Sequence, residues 1–548
     1  MQDGRMLDLW YKNAVIYSLD VEVYRDGNGN GVGDFKGLSE KLDHISSLGA
    51  TCVWLQPFFP SPGRDDGYDV MDYYGVDPRV GTLGDFVEFS YQAQERGLRI
   101  LIDLVVNHTS DQHPWFLAAR SDPCSPFRDF YVWSQHKPGH PDRGVVFPGH
   151  QDSVWSFDRK ARAWYFHRFY KQQPDLNIDN PAVREEIQKI MGFWAQLGVS
   201  GFRIDAVPFL IQREGAKTGI QGDPVYSYLE EMREFLSWRR GDAVLLGEAN
   251  ILPREVHDYF GAGERMQLLF NFYANQHLFL SLATEDAGPL IKAYEELPAI
   301  DLRTQWANFL RNHDELDLGR LTDSERERVF AALSPDPDSH LYRRGIRRRL
   351  APMLDNDRRH LELAYSLMFA LPGTPVLRYG EEIGMGDDLS LPERLAVRTP
   401  MQWSAEAAAG FSEAPPETLL RPVIDRGAFS YRRVNVAAQQ RDHNSLLNWM
   451  QRLIRLRRSC PELGWGRSTI LETDRTHVFA HRAEWRGRSL VMLHNLAAEG
   501  CEVALPPEWT DGSAVEIFGD SDYGRLARGR TLRVEGYGYR WFRVGGLP

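Results

Sequence analysis

Short apolar runs recur along the chain between Val15 and Leu377, and most are followed by a stretch with helical periodicity. The runs are Val15–Leu19, Cys52–Leu55, Leu98–Val106, Gly201–Ile204, Val244–Leu246, Gln267–Phe270, Ala307–Leu310 and Val376–Leu377. Helical patterns fall at Leu38–Leu48, Leu83–Arg96, Ala182–Leu197 and Tyr226–Trp238. A strand apolar on both faces must be covered on both, as in a parallel sheet flanked by helices. Eight such units predict an α/β fold, a (β/α)8 TIM barrel. A doubly wound sheet is the alternative, but it needs a glycine-rich phosphate turn early, and no Gly-x-Gly-x-x-Gly follows the first strand.

The repeat breaks between Asn107 and Pro174, a stretch rich in aromatics, His, Pro and Gly and without a long helix. It predicts a subdomain inserted after strand three, at the catalytic end of the barrel. After a helix over Asn444–Arg458, the runs Thr476–Arg482, Ser489–His494 and Tyr537–Val544 predict an antiparallel β domain. The division is then 1–107 and 175–455 for the barrel, 108–174 for the inserted subdomain, and 456–548 for a C-terminal β-sandwich. Charge excludes one partner class: 64 Lys+Arg against 76 Asp+Glu leave a net −12, which repels phosphates, so no nucleic acid is expected. No run reaches the ~18 to 20 apolar residues needed to span a bilayer. The start, MQDGRMLDLWYKNAVIY, has acidic residues and no apolar leader core. Cys52, Cys124, Cys460 and Cys501 lie far apart and form no CxxC pair. These features predict no membrane partner and a reducing, cytoplasmic compartment, and they leave a homo-oligomer open. The 15 Trp, 22 Tyr and 28 Phe serve either a bulky core or flat faces for stacking a ligand; composition does not choose.

Barrel chemistry sits where strands end. Strand three ends in Asn107-His108, strand four in Arg203-Ile-Asp205, strand five in Gly247-Glu248 and strand seven in Asn312-His313-Asp314. Three carboxylates from three strands therefore converge beside two histidines and an arginine. Acids in one cleft can do acid/base or nucleophilic work, or bind a metal. A pair ~5 to 5.5 Å apart supports retaining glycoside hydrolysis, and like charges that close push the two pKa values apart. Spacing alone does not separate this from a metal-dependent isomerase.

The full strings do. Asp103-Leu-Val-Val-Asn-His108, Gly201-Phe-Arg-Ile-Asp205, Leu246-Gly-Glu-Ala249 and Phe309-Leu-Arg-Asn-His-Asp314 resemble, in order, the signatures of the α-amylase family (glycoside hydrolase family 13). The resemblance runs over nearly the whole chain. It implies that Asp205 is the nucleophile, Glu248 the general acid/base, and Asp314 the third acid, gripping sugar hydroxyls. It further implies that Arg203 pairs its charge with Asp205, and that His108 and His313 donate hydrogen bonds to a bound glucosyl ring. Asp65-Asp-Gly-Tyr-Asp69 resembles the string whose tyrosine, here Tyr68, stacks under the terminal glucose. In exo-acting members a carboxylate matching Asp66 pairs with an arginine matching Arg398, in Val397-Arg-Thr-Pro-Met-Gln-Trp403, and walls the site into a pocket. Such a pocket takes a small neutral disaccharide.

Gln173-Pro-Asp-Leu-Asn177, Val106-Asn-His-Thr-Ser-Asp-Gln-His-Pro-Trp-Phe116 and Ser445-Leu-Leu-Asn-Trp449 look like the α-glucosidase and trehalose synthase branch. Three strings depart from it: Phe209-Leu-Ile-Gln212, Gly319, and Pro392-Glu-Arg-Leu-Ala396. They fall where the freed glucose must be held and water excluded. The expectation is α-glucosyl transfer on maltose, trehalose and sucrose, with isomerisation accompanied by hydrolysis. A purely hydrolytic α-glucosidase and an endo-acting amylase are the enzyme alternatives; a catalytically dead binding partner is the other, although no catalytic carboxylate is lost.

For metals, Asp26-Gly-Asn-Gly-Asn-Gly-Val-Gly-Asp34 places oxygen donors at alternate positions, but Gly37 stands where an EF-hand has its bidentate glutamate. By the resemblance, Asp26, Asn28, Asn30, the Val32 carbonyl and Asp34 hold a structural Ca²⁺ or Mg²⁺. A second calcium site would use residues matching Asn107, Asp175 and the Phe209 and Leu210 carbonyls, with Gln212 in place of a glutamate. No organic cofactor is expected. The basic run Arg343–Arg349, with Asp355, Asp357 and Glu362 nearby, predicts a salt-bridged helical face, and Trp541 and Phe542 read as packed core.

Overall fold

The computed structural model describes residues 9–212, 225–504, 514–523 and 531–545; the first eight residues, part of the stretch in which no leader core is read, lie outside these. Eight parallel strands close into a barrel: β1 (Ile16–Leu19), β2 (Cys52–Leu55), β3 (Arg99–Leu104), β4 (Gly201–Ile204), β5 (Val244–Gly247), β6 (Leu268–Phe270), β7 (Gln305–Asn308) and β8 (Thr374–Arg378). The seam is the β1–β8 pairing, with Ile16 opposite Val376. Alternation sorts the side chains. Ile16, Trp54, Leu101, Leu246, Phe270 and Val376 fill the interior, whereas Tyr17, Val53, Ile100, Phe202 and Leu245 belong to the main core with the surrounding helices.

Two elements differ from the sequence expectation for local reasons. The helix expected over Leu38–Leu48 is two, Phe35–Glu40 and Leu42–Leu48, divided at Lys41, and the first starts early because the Asp34 carboxylate accepts the Gly37 amide at 2.6 Å. Strand β7 lies two residues before the apolar run Ala307–Leu310. Its first residue, Gln305, is buried with its side-chain amide donating to the Gly464 carbonyl at 2.9 Å, so a polar residue occupies a core position that hydropathy does not mark.

The insertion carries a short helix, Pro114–Ser121, capped by the His113 ring, and a three-stranded sheet of Trp133–Ser134, Ala163–Phe166 and Trp155–Asp158. It returns to the barrel through antiparallel bridges His108–Asp175 and Tyr131–Leu176. The C-terminal domain is a five-stranded antiparallel sheet (467–470, 478–485, 488–495, 539–544, 514–519) beside a two-stranded one. Trp541 and Phe542 are packed: the Trp541 indole donates to Ser366 at 2.9 Å, against the barrel helix Arg358–Ala370. No helix among the described residues is long and apolar enough to cross a membrane, and none of the four cysteines is paired.

Candidate active site

Asp103 and Arg203 are lateral neighbours in the β3–β4 register, so both side chains enter the barrel together. Arg203 is buried. Its Nη1 donates to Asp103 Oδ1 at 2.6 Å and Asp205 Oδ1 at 2.5 Å, and its Nη2 lies 2.8 Å from Glu248 Oε2. One guanidinium thus faces three carboxylates and cannot neutralise them all. Burial pushes Asp103 up to about 7, with Arg203 opposing and Asp205 adding to the rise. Burial likewise pushes Glu248 up to about 8 against Arg203, helped by the charges of Asp205 and Asp314. The Ala206 amide donates to Glu248 Oε2 at 3.0 Å, from a backbone held at a φ of 50°. That left-handed geometry is uncommon outside glycine and sits directly after Asp205. Asp205 and Glu248 are therefore held by adjacent nitrogens of one group, and Glu248 keeps its proton near neutral pH.

Asp314 has the opposite environment. Burial would raise it, but Arg394, His313 and Arg398 outweigh burial and hold it well below the usual carboxylate range. Arg398 Nη2 and Arg394 Nη1 both reach its Oδ1, at 2.8 and 3.2 Å. Arg398 also donates to Asp66 Oδ2 at 2.6 Å, and Arg421 grips the other Asp66 oxygen. Against burial, those two arginines pull Asp66 down to about 2. The expected Asp66–Arg398 pair is formed, and Arg421 holds the same carboxylate.

The Tyr68 and His313 rings lie parallel, their planes 1° apart, with the hydroxyl 2.6 Å from His313 Nε2 and 3.3 Å from Asp103 Oδ2. His108 Nε2 sits 3.0 Å from the Tyr68 carbonyl and 3.2 Å from the Gln173 amide, which also donates to Asp65. Burial lowers the pKa of both histidines, so each ring is neutral at pH 7.

These groups surround a tight inner chamber of about 60 Å³, lined by Asp65, Tyr68, His108, Asp205, Glu248 and Asp314, with Phe147, Phe169, Ala206 and Arg394. It shares Glu248, Asp314, Arg394 and both phenylalanines with an outer vestibule of about 540 Å³. Of the sequence candidates, Asp205, Glu248, Asp314, Tyr68 and His108 face the chamber. Arg203, His313 and Arg398 are not among its lining residues but are bonded to groups that are, so they orient it, and Asp66 lies one step further out, held by Arg398 and Arg421. Phe209, Gln212 and Gly319, where the sequence departs from the branch it resembles, line the vestibule.

Sequence reading missed Asp65, Asp103, Arg394 and Arg421. Asp103 opens one of the signature strings, and a lone carboxylate inside an apolar strand was the available signal. Arg421 gave none, since its partners Asp20, Glu22 and Asp66 are distant in the chain. The basic run is not a helical face. Tyr342 and Arg343, both at positive φ, turn a hairpin between His340–Leu341 and Gly345–Ile346. Arg344 then pairs with Asp317, Arg348 with Asp387 and Arg349 with Glu381, while Glu362 pairs with Arg358.

In the loop 26–34, Asp26 accepts the Asn28, Gly29 and Gly31 amides and Asp34 accepts those of Gly27, Asn28 and Gly37. Two carboxylates, two amide oxygens and a carbonyl make an all-oxygen set that suits a hard cation, and burial together with the nearby Asp26 charge raises the pKa of Asp34. The second set fits less well. Asp175 is a lone carboxylate already accepting the Arg168 amide at 2.7 Å and the Asn107 amide at 3.3 Å, and Arg168 stacks over Phe209. Asp20, Glu22 and Asp66 also cluster, but Arg421, Arg79 and Arg398 supply their positive charge.

A model of the α-amylase catalytic domain matches residues 20–333 and 346–466, and one of a sucrose hydrolase-like C-terminal domain matches residues 487–543. A trehalose synthase of Pimelobacter sp. (strain R48) is 41% identical over 550 residues, covering 98% of this chain and 96% of that protein. A trehalose synthase of Thermus thermophilus is 42% identical over 539 residues, 98% of this chain, which spans 56% of that protein's length. The crystal structure of a trehalulose synthase superposes with a TM-score of 0.79 at 26% identity, covering 98% of this chain and 100% of the other.

Proposed function

The chain belongs to the α-amylase family, and from that premise we propose that it transfers α-glucosyl units from short α-glucosides through a covalent glucosyl ester on Asp205. Protonated Glu248 gives its proton to the glycosidic oxygen while the Asp205 carboxylate attacks the anomeric carbon from the other face. The C–O bond to the leaving sugar breaks, leaving the ester and an ionised Glu248. Glu248 then takes a proton from the acceptor hydroxyl as that oxygen attacks the same carbon and Asp205 leaves. An acceptor that is the freed glucose, turned to present another hydroxyl, gives isomerisation; water gives hydrolysis. The carrying observation is the shared guanidinium, which holds both carboxylates while burial keeps the proton on Glu248.

Maltose, trehalose and sucrose are the substrates this reading favours; trehalose stands in the names of the two relatives and sucrose in the description of the matching C-terminal domain. The wall of Asp66, Arg398 and Arg421 supports a pocket for one terminal glucosyl unit over an open cleft. Hydrolysis accompanies transfer in this reading, because Phe209, Gln212 and Gly319, where the chain departs from the branch it resembles, line the vestibule in which the freed sugar must be held. Asp26, Asn28, Asn30, the Val32 carbonyl and Asp34 would hold a structural Ca²⁺, in a loop none of whose residues lines the chamber or the vestibule; no cation is assigned to the set of Asn107, Asp175, Phe209 and Leu210. Incubating the enzyme with each disaccharide and quantifying glucose and new disaccharide tests the reading. Asp205→Asn should abolish turnover while disaccharide binding persists. Failure to turn over any of the three would remove the pocket assignment.

A further inference from the structure

The roof of the vestibule is tied by one carboxylate. Glu393 Oε2 accepts the Tyr170 hydroxyl at 2.7 Å and the Tyr342 hydroxyl at 2.8 Å, and its Oε1 lies 3.0 Å from His150 Nδ1. Tyr170 and His150 belong to the inserted subdomain, Tyr342 to the hairpin after β7, and Glu393 to the turn after β8. Burial would raise Glu393, but the two hydroxyls, His150 and Arg394 outweigh it, so it is ionised. Beneath the knot Phe147 packs between Tyr342 and Tyr170, with ring centroids 4.6 and 4.8 Å away, and lines both cavities. Arg344 donates to the Val146 carbonyl at 2.8 Å from the same hairpin.

The turn Glu393–Val397 continues inward. Arg394 binds Asp314 at 3.2 Å and Glu315 at 2.7 Å, with its guanidinium over Phe147 and Tyr342. Glu393 stands at a φ of 45°, disfavoured for a residue with a Cβ and maintained only where the surroundings over-determine it. A single turn thus carries both the roof carboxylate and an arginine that binds the third acid.

We propose that Glu393 is a positioning residue: by latching the inserted subdomain onto the barrel it retains the freed sugar, and so sets how the glucosyl enzyme divides between that sugar and water. This rests on the glucosyl-transfer reading above. It touches no reacting atom, so the first half-reaction should be nearly indifferent to it. The latch acts by enclosure: the residues it ties together stand over Phe147, which lines both the chamber and the vestibule.

The test uses the full-length enzyme and the variants Glu393→Gln and, as a milder change, Tyr342→Phe. On maltose, the ratio of trehalose to glucose should fall roughly tenfold in Glu393→Gln, the change expected when about one strong polar contact is lost. Of the trehalose that still forms, a larger fraction should carry labelled glucose added to the medium, because the cage exchanges its contents. Leaving-group release from an aryl α-glucoside should change less than about threefold, as only the closed state is weakened. Amide exchange over residues 144–151 should accelerate. Tyr342→Phe should shift all of these in the same direction and add little on the Glu393→Gln background. Faster exchange with an unchanged product ratio, or unchanged exchange, overturns the proposal. If the wild-type enzyme makes glucose alone from maltose, isomerisation falls. The latch then stands or falls on amide exchange and on transfer from the aryl glucoside to added glucose, which should drop in Glu393→Gln.

Discussion

At the residue scale, the chemistry turns on how many charges one guanidinium can serve. Arg203 faces Asp103, Asp205 and Glu248, and the shortfall keeps a proton on Glu248. Because that proton is consumed in the first step, kcat/KM for maltose should fall on the alkaline side with a limb near pH 8, following Glu248. Glu248→Gln should cut kcat for maltose by about 10² to 10⁴-fold, and should spare the release of a good leaving group such as an aryl oxygen far more. Equal losses on both substrates would remove Glu248 from the acid role. Asp205, Glu248 and Asp314 were legible in the sequence because each lies at or just beyond the end of an apolar strand. Arg394 and Arg421 were not, because an arginine in a loop carries no periodicity, and their partners are fixed only once the barrel closes. Which groups touch the chamber and which only orient them is also absent from a linear string: His313 looks like a ligand-binding histidine but spends its Nε2 on Tyr68.

At the element scale, local propensity and tertiary demand mostly agree. Eight strands appear where the apolar runs place them, and the exceptions have named causes. Asp34 shows one element serving two ends: it caps the helix Phe35–Glu40 and lies in the proposed cation loop. Chelation should therefore lower Tm in calorimetry. Restoring free Ca²⁺ to a hundredfold above Kd should return about 2.7 kcal/mol. Asp26→Asn should lower Tm in calcium and abolish the response to chelator. A wild-type Tm indifferent to both chelator and added Ca²⁺ would leave the loop as an Asx-turn without metal. The hairpin 340–346 escaped sequence reading because two consecutive left-handed residues without glycine give no turn signal.

At the scale of the whole molecule, buried carboxylates set the pH range of the fold. Asp65 and Asp103 are raised to about 7, and Glu22 and Glu248 to about 8, each chiefly by burial. Each binds its proton more tightly folded than unfolded, so the stability it contributes is full below its unfolded pKa of about 4, and is lost progressively as pH rises from there to the folded value of about 7 or 8. Asp66 and Asp314, held down by arginines, act in the opposite sense and lose their contribution as pH falls below about 4. Tm should pass a maximum near pH ~4, where the two opposed sets cross, and decline on both sides; a Tm flat from about pH 5 to 8 would show that these acids are relieved by water instead. The β1–β8 seam has a consequence for biosynthesis. The ribosome delivers Ile16 early, but its partner Val376 only after seven strands have emerged, so the nascent sheet carries two unsatisfied edges throughout that interval. Arg394, Arg398 and Arg421 arrive later still, so a stalled or truncated chain can present all three acids and yet lack the cations that hold two pocket carboxylates, Asp66 and Asp314, in place.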